Sequence, residues 1–202
     1  MIDFYTAGTG NGRRPALMLE ECGLAYTPHT INLAKGEGRS PEFLKINPVG
    51  AIPAIVDHDG PGGQTVTLAQ SGAILLYLAD KTGKFLPADP VKRTAHLQWL
   101  MFALTDIAPT SSAVFYASKL DDKTAQGAFE DRLIGQLGHA DKRLGAVEYL
   151  AGEYGVADMA LYPVYDSRKA LIEAKGAGLG NLKRWAESVG SRPAIKRGMA
   201  VA

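Results

Sequence analysis

The chain has 202 residues, 22 Lys and Arg against 21 Asp and Glu, and a formal net charge of +1, so no basic or acidic footprint for nucleic acid or a charged membrane surface is present. A single cysteine, Cys22, excludes a disulfide framework or a CxxC redox pair. His29, His58, His96 and His139 are far apart and lack metal-ligand spacing, so no metal is expected. No apolar run long enough for a membrane span is read. The sequence starts directly on Ile2-Asp3-Phe4-Tyr5 without a basic leader, which points to a soluble cytoplasmic protein.

In chain order, Ile2 to Tyr5 is a short β-rich run, followed by a loop, Ala7-Gly8-Thr9-Gly10-Asn11-Gly12, with three glycines. Pro15 reads as lying near the first turn of a helix carrying Leu17, Leu19, Glu20, Glu21 and Cys22, with Gly23 as its stop. Tyr26 to Leu33 reads as a second strand, and Pro41-Glu42-Phe43-Leu44 as a short helix after the charged loop 35–40. The stretch Asn47-Pro48-Val49-Gly50-Ala51-Ile52-Pro53-Ala54-Ile55-Val56-Asp57 leads from turn residues into a third strand. Proline donates nothing to a ladder, so Pro53 is expected at that strand's first residue, with a cis bond. Ile52 then keeps its N–H and C=O at the sheet edge for the backbone of an extended ligand. A hairpin loop, 58–64, joins a fourth strand at Val66 and Leu68. Ser71, after Gln70, reads as the N-cap of a helix through Ala73, Ile74, Leu76, Tyr77 and Leu78, and such a helix start favours an anion. A backbone docking edge beside a carboxylate pocket suits a small acidic peptide.

Phe85 to Pro90 reads as a linker, and everything beyond it lacks strand alternation. Leu133, Leu137, Ala140 and Leu144 recur at helical spacing. Gly155-Val156-Ala157-Asp158 reads as a helix start in which Asp158 is structural and Gly155 supplies no side-chain acceptor. The expected organisation is an α+β domain at 1–84 with a mixed four-stranded sheet, a linker at 85–90, and an all-helical domain at 91–202.

The order Ile52-Pro53 before strand 3, then Gln70-Ser71 opening the third helix, resembles the glutathione-binding half of the glutathione transferase superfamily. The run Tyr5–Gly12, with Lys35-Gly36-Glu37, Pro41-Glu42-Phe43-Leu44, Ile52–Asp57 and Ser71–Ala79, is most similar to the bacterial Nu-class disulfide-bond oxidoreductases. The resemblance implies a thioredoxin-like first domain, glutathione as co-substrate, and a homodimer. It places Ile52, Pro53, Gln70, Ser71, Arg39 and Lys35 on glutathione, and Thr9 and Asn11 at its sulfur. A hydroxyl and an amide N–H donating to sulfur favour the thiolate, which is the nucleophile. Tyr5 is the competing candidate, readable equally as a packing residue of the strand. A second-substrate wall would come from Leu104, Pro109, Phe115 and Tyr116, which read equally as core. The second substrate would be a small disulfide. The alternatives are conjugation of apolar electrophiles, reduction of organic peroxides, or a binding module without turnover. Three positions depart from the pattern: Ala51 stands where the family has Lys, Gly38 where Gln is common, and Gln70 where Glu is usual.

Overall fold

The computed structural model describes residues 1–201, which divide into two compact units: Met1–Leu86 together with the segment from Arg192, and Pro87–Ser191. In the first unit, β1 (Ile2–Thr6), α1 (Gly10–Cys22), β2 (Tyr26–Thr30), α2 (Pro41–Ile46), β3 (Ala54–Asp57), β4 (Val66–Ala69) and α3 (Ser71–Thr82) follow in order. The four strands form one mixed sheet in the order β2-β1-β3-β4, with β1 parallel to β2 and the other pairings antiparallel. This is the thioredoxin-like layout expected from the sequence. Pro28 lies in β2, at the sheet edge, where a missing N–H is tolerated. Phe4 and Ile55 face each other across β1 and β3 and are wholly buried with Leu17, Leu19, Ile74 and Leu78.

Several expected boundaries shift. Helix α1 begins at Gly10, five residues before Pro15, because Thr9 Oγ1 accepts the Gly12 N–H at 3.2 Å and Thr9 is the N-cap. Pro15 therefore lies inside the helix, where it withholds the N–H that would bond the Asn11 carbonyl. β2 stops at Thr30 because Asn32 caps a 3₁₀ turn, Leu33–Lys35. The Ile52–Pro53 bond is cis, as expected. Strand β3 starts one residue later than expected, at Ala54, and it is an interior strand and not an edge.

The C-terminal segment belongs with this unit. Helix α10 (Pro193–Met199) lies on α1 so closely that a Cβ on Gly198 would stand 2.9 Å from the Leu17 backbone. Arg192 grips Glu21 with two bonds of 2.6 and 2.9 Å, and Arg197 reaches Glu20 at 2.6 Å. The helical domain expected over 91–202 thus loses residues 192–201 to the first unit, and residue 202 lies outside the described residues. The ion pairs to Glu20 and Glu21 and the close packing of Gly198 on Leu17 are the reason.

The second unit is helical: α4 (Pro90–Met101), α5 (Ala108–Lys119), α6 (Lys123–Leu144), α7 (Val156–Ser167), α8 (Lys169–Lys175) and α9 (Gly180–Ser191). A π-helical turn, Phe102–Ile107, joins α4 to α5 into one 30-residue helical run. By length and composition alone this run is apolar enough to cross a membrane. The expectation that the chain holds no apolar run of that length is thus corrected. Leu133, Leu137, Ala140 and Leu144 are all buried, as their spacing predicts. Asp158, wholly buried, accepts from Gly155 N at 3.0 Å, Leu150 N at 3.1 Å and Trp185 Nε1 at 2.7 Å. It ties α7 to α9 and to the preceding loop, which is a structural role. Burial pushes its pKa up to about 6 against the pull of those donors.

Candidate functional site

The N-termini of α1 and α3 and the loop before β3 meet at one end of the sheet. Both ladders of β3 end at Ala54, opposite Tyr5 on one side and Ala69 on the other, so Ile52 and Pro53 continue past the sheet beside Thr6 and Gln70. At this end Gly12 closes the space between β1 and α1. A Cβ there would lie 2.2 Å from the Ala7 carbonyl and 2.5 Å from Thr6 Oγ1, so no other residue fits without moving the loop. The same close approach explains Gly38, whose Cβ would stand 2.6 Å from the Gly50 carbonyl. The Gln common at that position has no room here.

Thr9 and Asn11 sit at the cap and in the first turn of α1. The Thr9 hydroxyl oxygen is already occupied as the acceptor for Gly12 N–H, which leaves its O–H to donate. Asn11 Oδ1 accepts from Arg14 Nη1 at 2.6 Å. The same nitrogen donates to Ser71 Oγ at 3.3 Å. Arg14 is buried and connects the start of α1 to the start of α3, and burial lowers its pKa to about 10, so it remains a cation at neutral pH. Sequence reading missed Arg14. Its spacing from Asn11, one helical turn, would have revealed it once the helix start is placed at Thr9.

Helix α3 corrects another expectation. Its N-cap is Gln70 and not Ser71, and Gln70 makes no side-chain cap bond. Gln70 takes φ 74°, a left-handed conformation rare for a side chain of this kind. Ser71 is buried in the first turn with its hydroxyl on Arg14, so it is free of capping duty.

The cations of the next loop are exposed. Arg39 Nη1 donates to the Val49 carbonyl at 3.1 Å, and its side chain lies within 3.2 Å of where a Gly50 Cβ would be. It is thus moored beside Ala51, where the usual lysine is missing. Lys35 is exposed, and its backbone N–H completes the Asn32 cap.

Tyr5 belongs elsewhere. Its ring stacks on His29 at 4.7 Å and tilts against Phe43 at 5.9 Å, while its neighbour Thr6 faces the first turn of α1. Burial, with the Asp3 charge, raises its pKa, so it stays a neutral phenol. His29 and His58, distant in sequence, both meet Asp3 at 2.7 Å on this sheet. Cys22 is buried, with Sγ 3.4 Å from Thr82 Oγ1, and burial raises its pKa, which disfavours the thiolate. Asp57 and Tyr77, both in stretches that carry the resemblance, are structural. Tyr77 O–H donates to Asp57 at 2.7 Å and Lys81 pairs with it at 2.7 Å.

In the helical unit, Phe115 and Tyr116 are 46% and 65% exposed, so they are not core. Pro109 is exposed and Leu104 half-buried; Leu104 lies in the π turn and Pro109 just past it, whereas Phe115 and Tyr116 lie about two turns further along α5.

The pattern of the glutathione S-transferase N-terminal domain matches residues 11–81. The disulfide-bond oxidoreductase YfcG of Escherichia coli is 40% identical over 200 residues, covering 96% of this chain and 92% of YfcG. The chain belongs to the glutathione transferase family. A glutathione transferase structure from Pseudomonas putida, with one glutathione disulfide bound per subunit, superposes with a TM-score of 0.90 at 35% identity, covering 99% of this chain and 91% of that one. Another, from Pseudomonas fluorescens with two glutathione molecules bound, gives 0.89 at 36% identity, covering 100% and 93%. Within this transferase fold the end of the sheet described above lies in the matched N-terminal domain, and Thr9 stands just ahead of it.

Proposed function

We propose that this transferase is a glutathione-dependent disulfide reductase in which bound glutathione supplies the reacting sulfur. One observation carries the reading. The oxygens of Thr9, Asn11 and Ser71 are each already occupied by protein donors, so all three groups have hydrogens left for an anion. Thr9 O–H and the Asn11 amide donate to the glutathione sulfur. Ser71 O–H and the backbone of Gln70-Ser71 at the α3 N-terminus hold the γ-glutamyl carboxylate. Ile52 pairs with the cysteinyl backbone beyond Pro53, and Arg39, with Lys35, neutralises the glycine carboxylate. The names of the relatives support the choice of reaction: YfcG is a disulfide-bond oxidoreductase, and the two Pseudomonas structures hold glutathione disulfide and two glutathiones.

A thiol near its free pKa is mostly protonated at neutral pH, so two donors aimed at sulfur raise the thiolate fraction. The thiolate attacks one sulfur of a small disulfide, forming a mixed disulfide and expelling the other sulfur as a thiolate, which takes a proton from water. A second glutathione thiolate attacks the glutathione sulfur of the mixed disulfide. Glutathione disulfide forms and the remaining thiol leaves. Electrons pass from two glutathiones to the substrate, and Cys22 takes no part. Phe115 and Tyr116 are proposed to offer apolar surface to the second substrate, and a homodimer completes the reading.

Calorimetry with reduced and oxidised glutathione, followed by a coupled assay of hydroxyethyl disulfide reduction, tests it. Binding with turnover supports the proposal. Binding with conjugation of an electrophile in place of disulfide reduction favours a detoxifying transferase, and binding without any turnover favours a module that only recognises the peptide.

A further inference from the structure

Arg14 is 2% exposed, yet a guanidinium carries five N–H donors and no acceptor. Whatever hydrogen-bonds to it must turn an oxygen toward it. Asn11 does so with Oδ1 at 2.6 Å, and its NH₂ is thereby turned away. Ser71 does so with Oγ at 3.3 Å, and its hydroxyl hydrogen is left for another acceptor. Without this cation an Asn side chain has no fixed sense, since amide oxygen and nitrogen are nearly the same size and exchange places by a simple flip. A hydroxyl rotates as freely. Against a thiolate or a carboxylate the wrong sense would present a lone pair to an anion.

We infer that Arg14 is a positioning residue that fixes the donor sense of Asn11 and Ser71, so that one buried cation orients both ends of the anionic ligand. The inference rests on the placement of glutathione proposed above. Arg14 touches neither sulfur nor carboxylate in this arrangement; it acts through Asn11 and Ser71. Its charge also lies where solvent screening is weak, which adds attraction for the thiolate. Because it remains a cation through the neutral range, it adds no titration of its own to the pH profile. A helix-packing role alone would be filled better by an apolar side chain of the same length.

Arg14→Met keeps the length and apolar stem and removes the charge and donors. Three quantities are read for wild type, Arg14→Met and Arg14→Lys: glutathione binding by calorimetry, the pKa of the bound thiol by thiolate absorbance, and the pH–rate profile of disulfide reduction. In Arg14→Met the bound thiol pKa should rise by about one unit. The rate at neutral pH should fall by up to about 10-fold, since one pKa unit is a tenfold change in thiolate fraction. It should recover as pH rises and the thiolate forms unaided. Arg14→Lys, a donor-only cation, should restore the thiol pKa in large part.

A folded Arg14→Met with wild-type thiol pKa and pH profile overturns the inference alone, since the peptide still binds. Wild type that binds no glutathione overturns the ligand placement and the inference with it. Should Arg14→Met fail to fold, the wild-type protein still decides. The side-chain NH₂ resonances of Asn11 should shift on binding glutathione, and no shift would show that the amide is not turned toward the ligand.

Discussion

Thr9 performs two tasks that substitution can separate. As acceptor it caps α1 through Gly12 N–H at 3.2 Å; as donor it is proposed to face the sulfur. Thr9→Ala removes both. Loss of a cap costs about 1 kcal/mol, which for a chain of this size lowers Tm by roughly 2–4 °C. Loss of a donor to developing or fully formed negative charge costs about 10²–10³-fold in rate, by analogy with an oxyanion donor. Thr9→Asp separates the two. Aspartate caps at least as well as threonine and suits the positive end of the helix, so stability should hold or rise. It has no donor when ionised and sets a like charge beside the thiolate, so the rate should fall below that of Thr9→Ala. Thr9→Ser keeps both functions. The expected order of rates is wild type close to Ser, then Ala, then Asp, whereas Ala is the least stable of the set. Rates are taken from hydroxyethyl disulfide reduction at saturating glutathione, and stability from thermal unfolding of the same samples. If the rates follow the stabilities, with Asp as active as wild type, Thr9 is only a cap and the assignment of the thiolate donor is wrong.

Tyr5→Phe keeps the ring stacked on His29 and removes only the hydroxyl, so disulfide reduction should stay within about twofold of wild type; abolished activity would hand the thiolate to tyrosine. Gly12→Ala drives a Cβ against the Ala7 carbonyl and Thr6 Oγ1, and should destabilise the protein by about 1–3 kcal/mol in denaturant titration while displacing Thr9 and Asn11. Asp57 is wholly buried, and although burial alone would raise its pKa, Lys81, Tyr77 and the Asp59 N–H hold it below the ordinary carboxylate value. A depressed folded pKa gives stability that is present above the unfolded pKa of about 4 and is lost as pH falls through the folded value. Unfolding titrations from pH 6 downward should therefore show a loss of stability below about pH 4, and Asp57→Asn should be less stable at pH 6 with a shallower acid slope.

Much of the first unit was legible because its signals are local. Short β-rich runs mark the strands, glycine and proline mark their ends, and Ile52-Pro53 announces its own bond. The site was legible only in part, since its residues lie near in sequence to features that misdirect. Pro15 suggested a helix start, and the Thr9 cap, a weaker signal, in fact sets it. Ser71 has the composition of an N-cap, and only the three-dimensional fold shows that Arg14 has claimed its hydroxyl from the neighbouring helix. The pairing of Arg192 and Arg197 with Glu21 and Glu20 spans most of the chain, and no pattern in either segment specifies it. The pairs that sequence conceals are those whose partners are set by packing and not by spacing.

The departures at Ala51, Gly38 and Gln70 concern one end of the ligand more than the other. The lost lysine at 51 and the exposed Arg39 and Lys35 all lie where water screens charge, and exposed ion pairs contribute about 0–1 kcal/mol. In the proposed placement the sulfur and γ-glutamyl ends rest on Thr9, Asn11 and Ser71, whose oxygens are occupied, and a buried cation sets the sense of Asn11 and Ser71. Glutamine at 70 stands where a carboxylate is usual and offers a neutral acceptor, on a backbone at φ 74° that opens α3. In that placement, weakening the glycine end costs affinity, while the chemistry proposed for Thr9 and Asn11 at sulfur is left intact. In the proposed exchange, which must also release glutathione disulfide, a loosely held glycine end and a firmly oriented sulfur end would serve the same turnover.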